Sequence, residues 1–423
     1  MNSIGVAATK AVKPTQITVS PHDPIIVRDG RPFGAGSEGA NRARSLDWPY
    51  PSTVAGAVRT LVGRLAAHHT GTKGQAQNPF HDAAFLERLK RVKVWGPLPL
   101  ADGDLYVPTP LDFLVYDSGD RVSLRPRRLR DEEGCDLPHQ GLWPINVPRN
   151  EKPGKSAAFL SMRAAARWLA QDAQGAFDPE DILEHFAKDE RVHVRIDADT
   201  QTADDSQLFS TQGLVIPDID YQRSSDLDET AEGRSARATH LALLVQSSDD
   251  ELAALAAGVD SLHPFGGERR LARFHSETPA ASWQCPPVIH EGLSHTSGIR
   301  MLLVTPAIFR GGWLPGWLDS ETLEGSPPGA QNLRLRLRGA STGRWRAVSG
   351  WSMERGHPGP KPIRRLVPSG SVYFFEVVAG SAQELADLWL CPVSDEPQDR
   401  NDGFGLTMWG VWDIKAKEGG SQG

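Results

Sequence analysis

Apolar residues in this chain fall mostly in short bursts separated by Gly and Pro, a pattern of many strands and turns with few helices. The clearest helical spacing lies in PYPSTVAGAVRTLVGRLAAHH, where Val54, Val58, Leu61, Val62 and Leu65 share one face. It predicts a helix starting near Ser52, with Ser52 or Thr53 as its cap and only Arg59 and Arg64 free to face outward. Strands are predicted at ITVSPHDPIIV, PLDFLVYD, THLALLVQ and FGGERRLARF, the last entered through Gly266 and Gly267. A second series follows at IRMLLVTPAIF, NLRLRLRG, SVYFFEVV and GFGLTMWGVWD. Within it NLRLRLRG alternates Leu inward and Arg outward at period two. SDDELAALAAG predicts a short helix capped by Ser248 facing Glu251 and ended by Gly258, and GSAQELADLWL repeats the device with Ser381 and Glu384.

Gly119 to Arg237 is polar and poorly periodic apart from a helix near Ser161 to Gln171, and reads as a large insertion. The order strand, helix, strands, helix, strand suits a ferredoxin-like split βαβ sheet, and the second half repeats that order. The expected fold class is α+β: two related domains at 16–292, with the insertion at about 119–237, and 293–415, flanked by disordered tails at 1–15 and 416–423.

Composition supports a globular chain. Its 423 residues carry 39% hydrophobic residues, 41 Gly and 32 Pro, and the mean hydropathy is −0.39. No stretch approaches the roughly 20 apolar residues a membrane helix needs, so the expected location is the cytoplasm, with no membrane partner. Cys135, Cys285 and Cys391 lie far apart, which predicts neither a disulfide framework nor a cysteine zinc site. The net charge of −7 argues against a polyanion ligand until its distribution is read. Asn332 to Leu366 holds nine basic residues and one acid, whereas Asp197 to Glu232 holds ten acids and one base. A second basic cluster comprises Arg121, Arg125, Arg127, Arg128 and Arg130. Such runs are either solvated faces or footprints for an anionic partner.

Gly34, Gly36 and Gly39 match the G-x-G-x-x-G of dinucleotide-binding loops. That fingerprint requires its third glycine to open a helix, yet Pro49 and Pro51 hold the next helix off until about Ser52. A cofactor-binding oxidoreductase is therefore a remote reading, and no cofactor is expected. H-E-x-x-H, G-x-S-x-G and the phosphate-binding G-x-x-x-x-G-K-[ST] are absent, and no histidine stands in metal-ligand spacing with cysteine. His22 is the one histidine left open as a general base.

DPIIVRDGRPFGAG followed by WPYPSTVAGAVRT, with further matches at PFGGERRLARF, GWSMERGHPGPKPIRRLVPSGSVYFF and GFGLTMWGVW, resembles the third-subunit family of the Cmr complex, the type III-B CRISPR effector, within the RAMP superfamily. The resemblance spans about Ile17 to Asp413 and leaves the insertion unmatched. It implies two ferredoxin-like (RRM-like) RAMP domains that hold the 5′ handle of the crRNA. The implied neighbours are the large polymerase-type subunit and the first backbone RAMP subunit. It also implies no catalytic residue and no metal. The runner-up is a metal-independent crRNA-processing RAMP endoribonuclease using His22.

The residues permit an RNA site, because glycine lets backbone N–H groups approach phosphates while arginines and aromatic faces hold an unpaired strand. The candidate RNA-binding residues are Arg28, Asp29, Gly30, Arg31 and Phe33 in the first loop, and Ser52, Thr53 and Arg59 at the helix. Gly266, Gly267, Arg269 and Arg270 follow, then Lys361, Arg364 and Arg365, and by resemblance Gly403 and Gly405. For each a structural alternative stands: Arg28 with Asp29 as a turn pair, Phe33 as a core anchor, Gly266 and Gly267 as a hairpin device. Tryptophans beside glycines, such as Trp313, Trp317, Trp351 and Trp409, are expected to pack in the core or an interface.

Overall fold

The computed structural model describes residues 13–29, 42–69, 79–118, 120–130, 132–147, 150–171, 177–217, 237–352 and 359–414. Among them lie six α-helices: α1 (Pro51–His69), α2 (Ala83–Lys90), α3 (Met162–Gln171), α4 (Asp250–Ala257), α5 (Pro287–Leu293) and α6 (Pro397–Asp402). The rest is mostly antiparallel β-structure, a mixed α and β architecture.

The centre of the first half is four neighbouring strands in the order Lys93–Ala101, His240–Gln246, Thr15–Pro21, Leu271–Glu277, every pair antiparallel. Helices α1 and α4 cover one face. Val54, Val58 and Val62 of α1, with Leu252 and Ala256 of α4, join Ile17, Val19, Leu241, Leu243 and Phe274 in one buried cluster. The apolar stripe expected of α1 is thus the core stripe. Two details of the helix ends differ from the sequence reading. Because α1 starts at Pro51, Ser52 and Thr53 occupy its first turn, where Thr53 N–H donates to the Tyr50 carbonyl at 3.0 Å. In α4 the cap is Asp249, whose carboxylate accepts from the Leu252 amide at 3.2 Å, in place of Ser248. Ser381 does cap, through the Gln383 amide, but only a 3-10 turn at Ala382–Ala386.

The second half repeats the strand order with Arg334–Ser341, Val372–Ala379, Gly298–Leu303 and Thr407–Val411, again all antiparallel. After Lys93–Ala101 the chain turns back into Asp104–Pro108, which pairs with it in the same sheet, whereas after Arg334–Ser341 it leaves the sheet until Val372–Ala379. The first crossover of the second half, Val304 to Leu333, contains no α-helix. NLRLRLRG behaves as its alternation predicts: Leu335 and Leu337 are buried, while Arg334 and Arg336 pair with Glu324 and Arg338 pairs with Glu376. That stripe of charge is consumed within the protein. Much of the second basic cluster is also structural: Arg127 bonds Glu133 at 2.6 Å and the Arg121 guanidinium lies 5.1 Å from the Phe177 ring centre.

The stretch read as an insertion is woven into the body. Phe159–Ser161 and Ile182–Leu183 extend the first sheet beyond Asp104–Pro108, and Asp260–Pro264 forms its other edge, giving eight strands in all. Trp168 and Leu169 of α3 are fully buried in a cluster that also holds Leu98 and Leu100 of the first half and Met301, Phe374 and Trp409 of the second. Lys188–Ile196 and Ala203–Leu214 form a long ribbon, which pairs at its base with Arg42–Ala43. The expected N-terminal tail also ends earlier than predicted, since Thr15 already belongs to the first strand.

One buried ion pair ties these parts together. Arg300, on Gly298–Leu303, meets Asp112 at 3.1 Å with neither side chain more than 1% exposed. Arg300 also donates to the Val411 carbonyl at 2.9 Å, and the Trp168 indole lies 3.4 Å from Asp112. Burial opposes both charges, pushing the Asp112 carboxyl up and the Arg300 guanidinium down, and the pair partly offsets this.

Candidate nucleic-acid interface

Where the two halves meet, a cleft of about 920 Å3 opens between the N-terminal approach to α1, the Pro97–Pro99 bend and the loops at Val304–Pro306 and Gly343–Arg346. Its wall is apolar and stiff. Trp48, Tyr50, Phe159 and Phe186 line it among prolines 49, 51, 97, 99, 108, 110, 306 and 368, and proline has little conformational entropy to lose when a ligand settles on it. Trp48 is held by a 2.9 Å bond from its indole N–H to the Pro97 carbonyl and by stacking on Phe186 at 5.4 Å.

Beside the cleft, sharing Leu46, Asp47 and Arg346 with it, lies a polar hollow of about 330 Å3 lined by Asp29, Arg42, Arg44, Lys188 and Gln212. Its charges are unequal in freedom. Arg42 is paired with Glu190, and Lys188 with Asp47 at 2.6 Å. Arg44, Arg344 and Arg346 have no carboxylate partner among the described residues. Burial pushes the Tyr50 hydroxyl up while Arg346 pulls it down, so that phenol stays neutral and able to donate or accept. Phosphates attracted to the hollow would leave unpaired bases facing the aromatic wall.

The residues singled out from the sequence fall into four groups. Gly30, Arg31 and Phe33 lie outside the described residues. Arg28 and Asp29 reach the hollow's edge through a bridge between Arg28 and Ser45 and a 3.1 Å bond from the Asp29 amide to the Arg44 carbonyl. Gly266 and Gly267 pack beside this segment: Gly267 N–H donates to the Ile26 carbonyl at 2.7 Å, and a Cβ on Gly266 would lie 2.8 Å from the same oxygen. Both also turn the hairpin between Asp260–Pro264 and Leu271–Glu277, with Arg269 at its tip and Arg270 reaching Glu268 at 3.4 Å. Hairpin device and close approach are therefore both present, the approach being to the protein's own backbone.

A third group makes its contacts within the protein. Arg59 bonds Asp402 at 2.5 Å and the Val92 carbonyl at 2.7 Å, clamping α1 to α6. Gly403 ends α6 at φ +91° with its Cβ position 2.6 Å from the Val94 carbonyl, and Gly405, at φ +82°, is pressed against Ser394. Ser52 and Thr53 stay in the first turn of α1, next to the cleft residue Pro51 but not on its wall. The fourth group divides across one hairpin, Arg346–Val348 with Arg364–Leu366. Arg364 donates from one nitrogen to both Asp399 oxygens, at 2.7 and 2.9 Å, Lys361 is exposed with its amide donating to the Gly350 carbonyl at 2.8 Å, and Arg365 lies on the outward side.

Sequence reasoning missed Arg42, Arg44, Lys188 and the aromatic wall as a site, and counted Arg344 and Arg346 only as part of a charge run. WPYP was visible as a helix approach, but its company with Phe159 and Phe186 arises from residues more than a hundred positions away. Among the described residues no cluster of three or more His, Cys, Asp or Glu side chains is placed to hold a metal ion. No described helix is long and apolar enough to cross a membrane. His22 sits exposed at the end of the first strand, while a neighbouring histidine, His240, shares a 2.9 Å hydrogen bond with Ser20.

Solved structures with a related chain path include a chain of the type III-B Cmr-beta complex bound to cognate target RNA, at 13% identity and TM-score 0.43, covering 85% of this chain and 86% of that one. Another is in the Csm3-Csm4 subcomplex of the type III-A CRISPR-Cas interference complex, at 9% identity and TM-score 0.38, covering 86% and 94%. These likenesses are too loose to decide anything about the site. No curated protein matches the chain significantly. The sequence itself is decisive: residues 17–412 match the family model described as CRISPR-associated protein (Cas_Cmr3), and the chain belongs to that family.

Proposed function

We propose that this protein is a non-catalytic RNA-binding subunit of a type III-B CRISPR interference complex. In this reading it holds the 5′ handle of the crRNA and bridges the large polymerase-type subunit to the RAMP backbone. The observation that carries the reading is the basic and aromatic cleft at the seam of the two halves. Arg44, Arg344 and Arg346 stand there without carboxylate partners among the described residues, beside Trp48, Tyr50, Phe159 and Phe186. A polyanion with unpaired bases complements both parts of that surface. We read the two four-strand sheets as ferredoxin-like, the second with its first crossover helix replaced by a loop; the shared strand order supports this.

Equilibrium binding of a single-stranded RNA carrying the handle sequence tests the proposal, measured against a scrambled RNA across a salt series. Tight binding that prefers the handle and weakens steeply with salt is expected. Affinity indifferent to salt, or equal for both RNAs, overturns the handle role. For the absence of catalysis, repeat RNA incubated with the protein in EDTA should remain intact; cleavage abolished by His22→Ala would establish the processing enzyme instead.

A further inference from the structure

The hairpin that carries Arg344 and Arg346 has a second face. Its register pairs Ala347 with Arg365 and Val348 with Arg364, so residues 345 and 347 share one side with 363 and 365. The opposite side is anchored: Val348 and Leu366 are buried with Ile308 and Phe404, and Arg364 is fastened to Asp399. On the outer side Trp345 is 59% exposed and Ile363 is 65% exposed. The Arg365 guanidinium lies 4.8 Å from the Trp345 ring centre.

We propose that this outer face, Trp345 with Ile363 and Arg365, docks another protein subunit through an apolar pocket rimmed by carboxylates. The inference rests on membership of a multi-subunit assembly and not on the RNA role of the cleft. Three features of the face select this occupant. Trp345 is the one aromatic side chain among the largely exposed apolar residues described, and Ile363, on the same side, is more exposed still. Tryptophan, arginine and a branched aliphatic make up the usual centre of a protein contact. An RNA strand could use Trp345 and Arg365, but it leaves the Ile363 side chain in water. The one charge on the face is positive, because positions 345, 347 and 363 are uncharged, so the complementary surface is acidic. The cation–π contact also holds the Trp345 ring before binding, which lowers the entropy lost on docking.

The test uses the complex purified from its host through this chain, with a photo-crosslinking amino acid at Ile363. Irradiation should attach the chain to a fellow subunit, at a peptide in which Asp or Glu flanks apolar residues. Trp345→Ala should weaken that subunit's association by roughly 30-fold, the equivalent of about 2 kcal/mol. Arg365→Glu should abolish the adduct and leave the thermal midpoint of the chain unchanged. Lysine placed at the crosslinked carboxylates should restore it. An adduct with RNA, an adduct with a second copy of this chain, no adduct, or an adduct indifferent to the charge reversal would each overturn the proposal. If the cleft proves not to bind RNA, the protein adduct is still expected.

Discussion

Asp249 does two things at once, and only one is visible from its neighbours in sequence. Its carboxylate caps α4 through the Leu252 amide, and its other oxygen meets Arg88 of α2 at 2.7 Å. The Arg88 contact chiefly, with the cap, holds the carboxyl below the ordinary value of 3.8. A carboxyl whose native pKa lies below its unfolded one stabilises the fold fully above the unfolded value and loses that contribution as pH falls through the native value. Melting temperatures measured between pH 7 and 2 should therefore fall less steeply on the acid side for Asp249→Asn than for the parent, while Asp249→Ala should cost about 1 kcal/mol near neutrality. Ser248 was the more conventional cap in the sequence. Asp249 prevails because α2 brings a guanidinium to its free oxygen, a contact 161 positions away. Gly266 teaches the same lesson: φ +79° was legible as a turn, but the Ile26 carbonyl 2.8 Å from its Cβ position was not. Gly266→Ala should destabilise by more than about 1 kcal/mol in a denaturant titration.

Among the elements, α1 and the period-two strand at Arg334–Ser341 were readable because each satisfies its own pattern: one face apolar, the other polar. α3 was located but its depth was not: Met162, Ala165, Ala166 and Leu169 announce one apolar face, whereas Ala164 and Trp168 are buried as well and the arginines are drawn off to Asp181 at 3.1 and 2.8 Å. What sets α3 in place is Asp112 and Arg300 at its indole. Asp112→Ala leaves the Arg300 charge buried without its partner and should cost about 3–5 kcal/mol, whereas Asp112→Leu with Arg300→Met should be near neutral or stabilising. Urea denaturation of the single and double variants separates the two. A double variant as unstable as the single would mean that the ion pair is not the seat of the effect. The Lys188–Ile196 ribbon escaped the sequence reading for a different reason: its residues alternate charged and apolar with neither face covered, as Val192 and Ile196, 68% and 52% exposed, make plain.

Taken as a whole molecule, the protein sorts its cations by where the two halves meet. Arg59 and Arg364 serve the seam and the hairpin anchor, whereas Arg44, Arg344 and Arg346 surround the cleft. Single alanine substitutions at Arg344 or Arg346 should weaken RNA binding and lower the slope of log affinity against log salt by about one. Arg59→Ala should lower the melting temperature and leave that slope unchanged; filter binding across a salt series distinguishes them. Local pattern alone determined the strand-rich α and β architecture, the core helix α1, the repeated element order and the family, because each depends on residues close together in the chain or on short motifs met in order along it. Which arginine is free was decided only by tertiary structure. A charge is spent or available according to the carboxylates and carbonyls that long-range packing brings within about 3 Å, and no spacing along the chain encodes that distance.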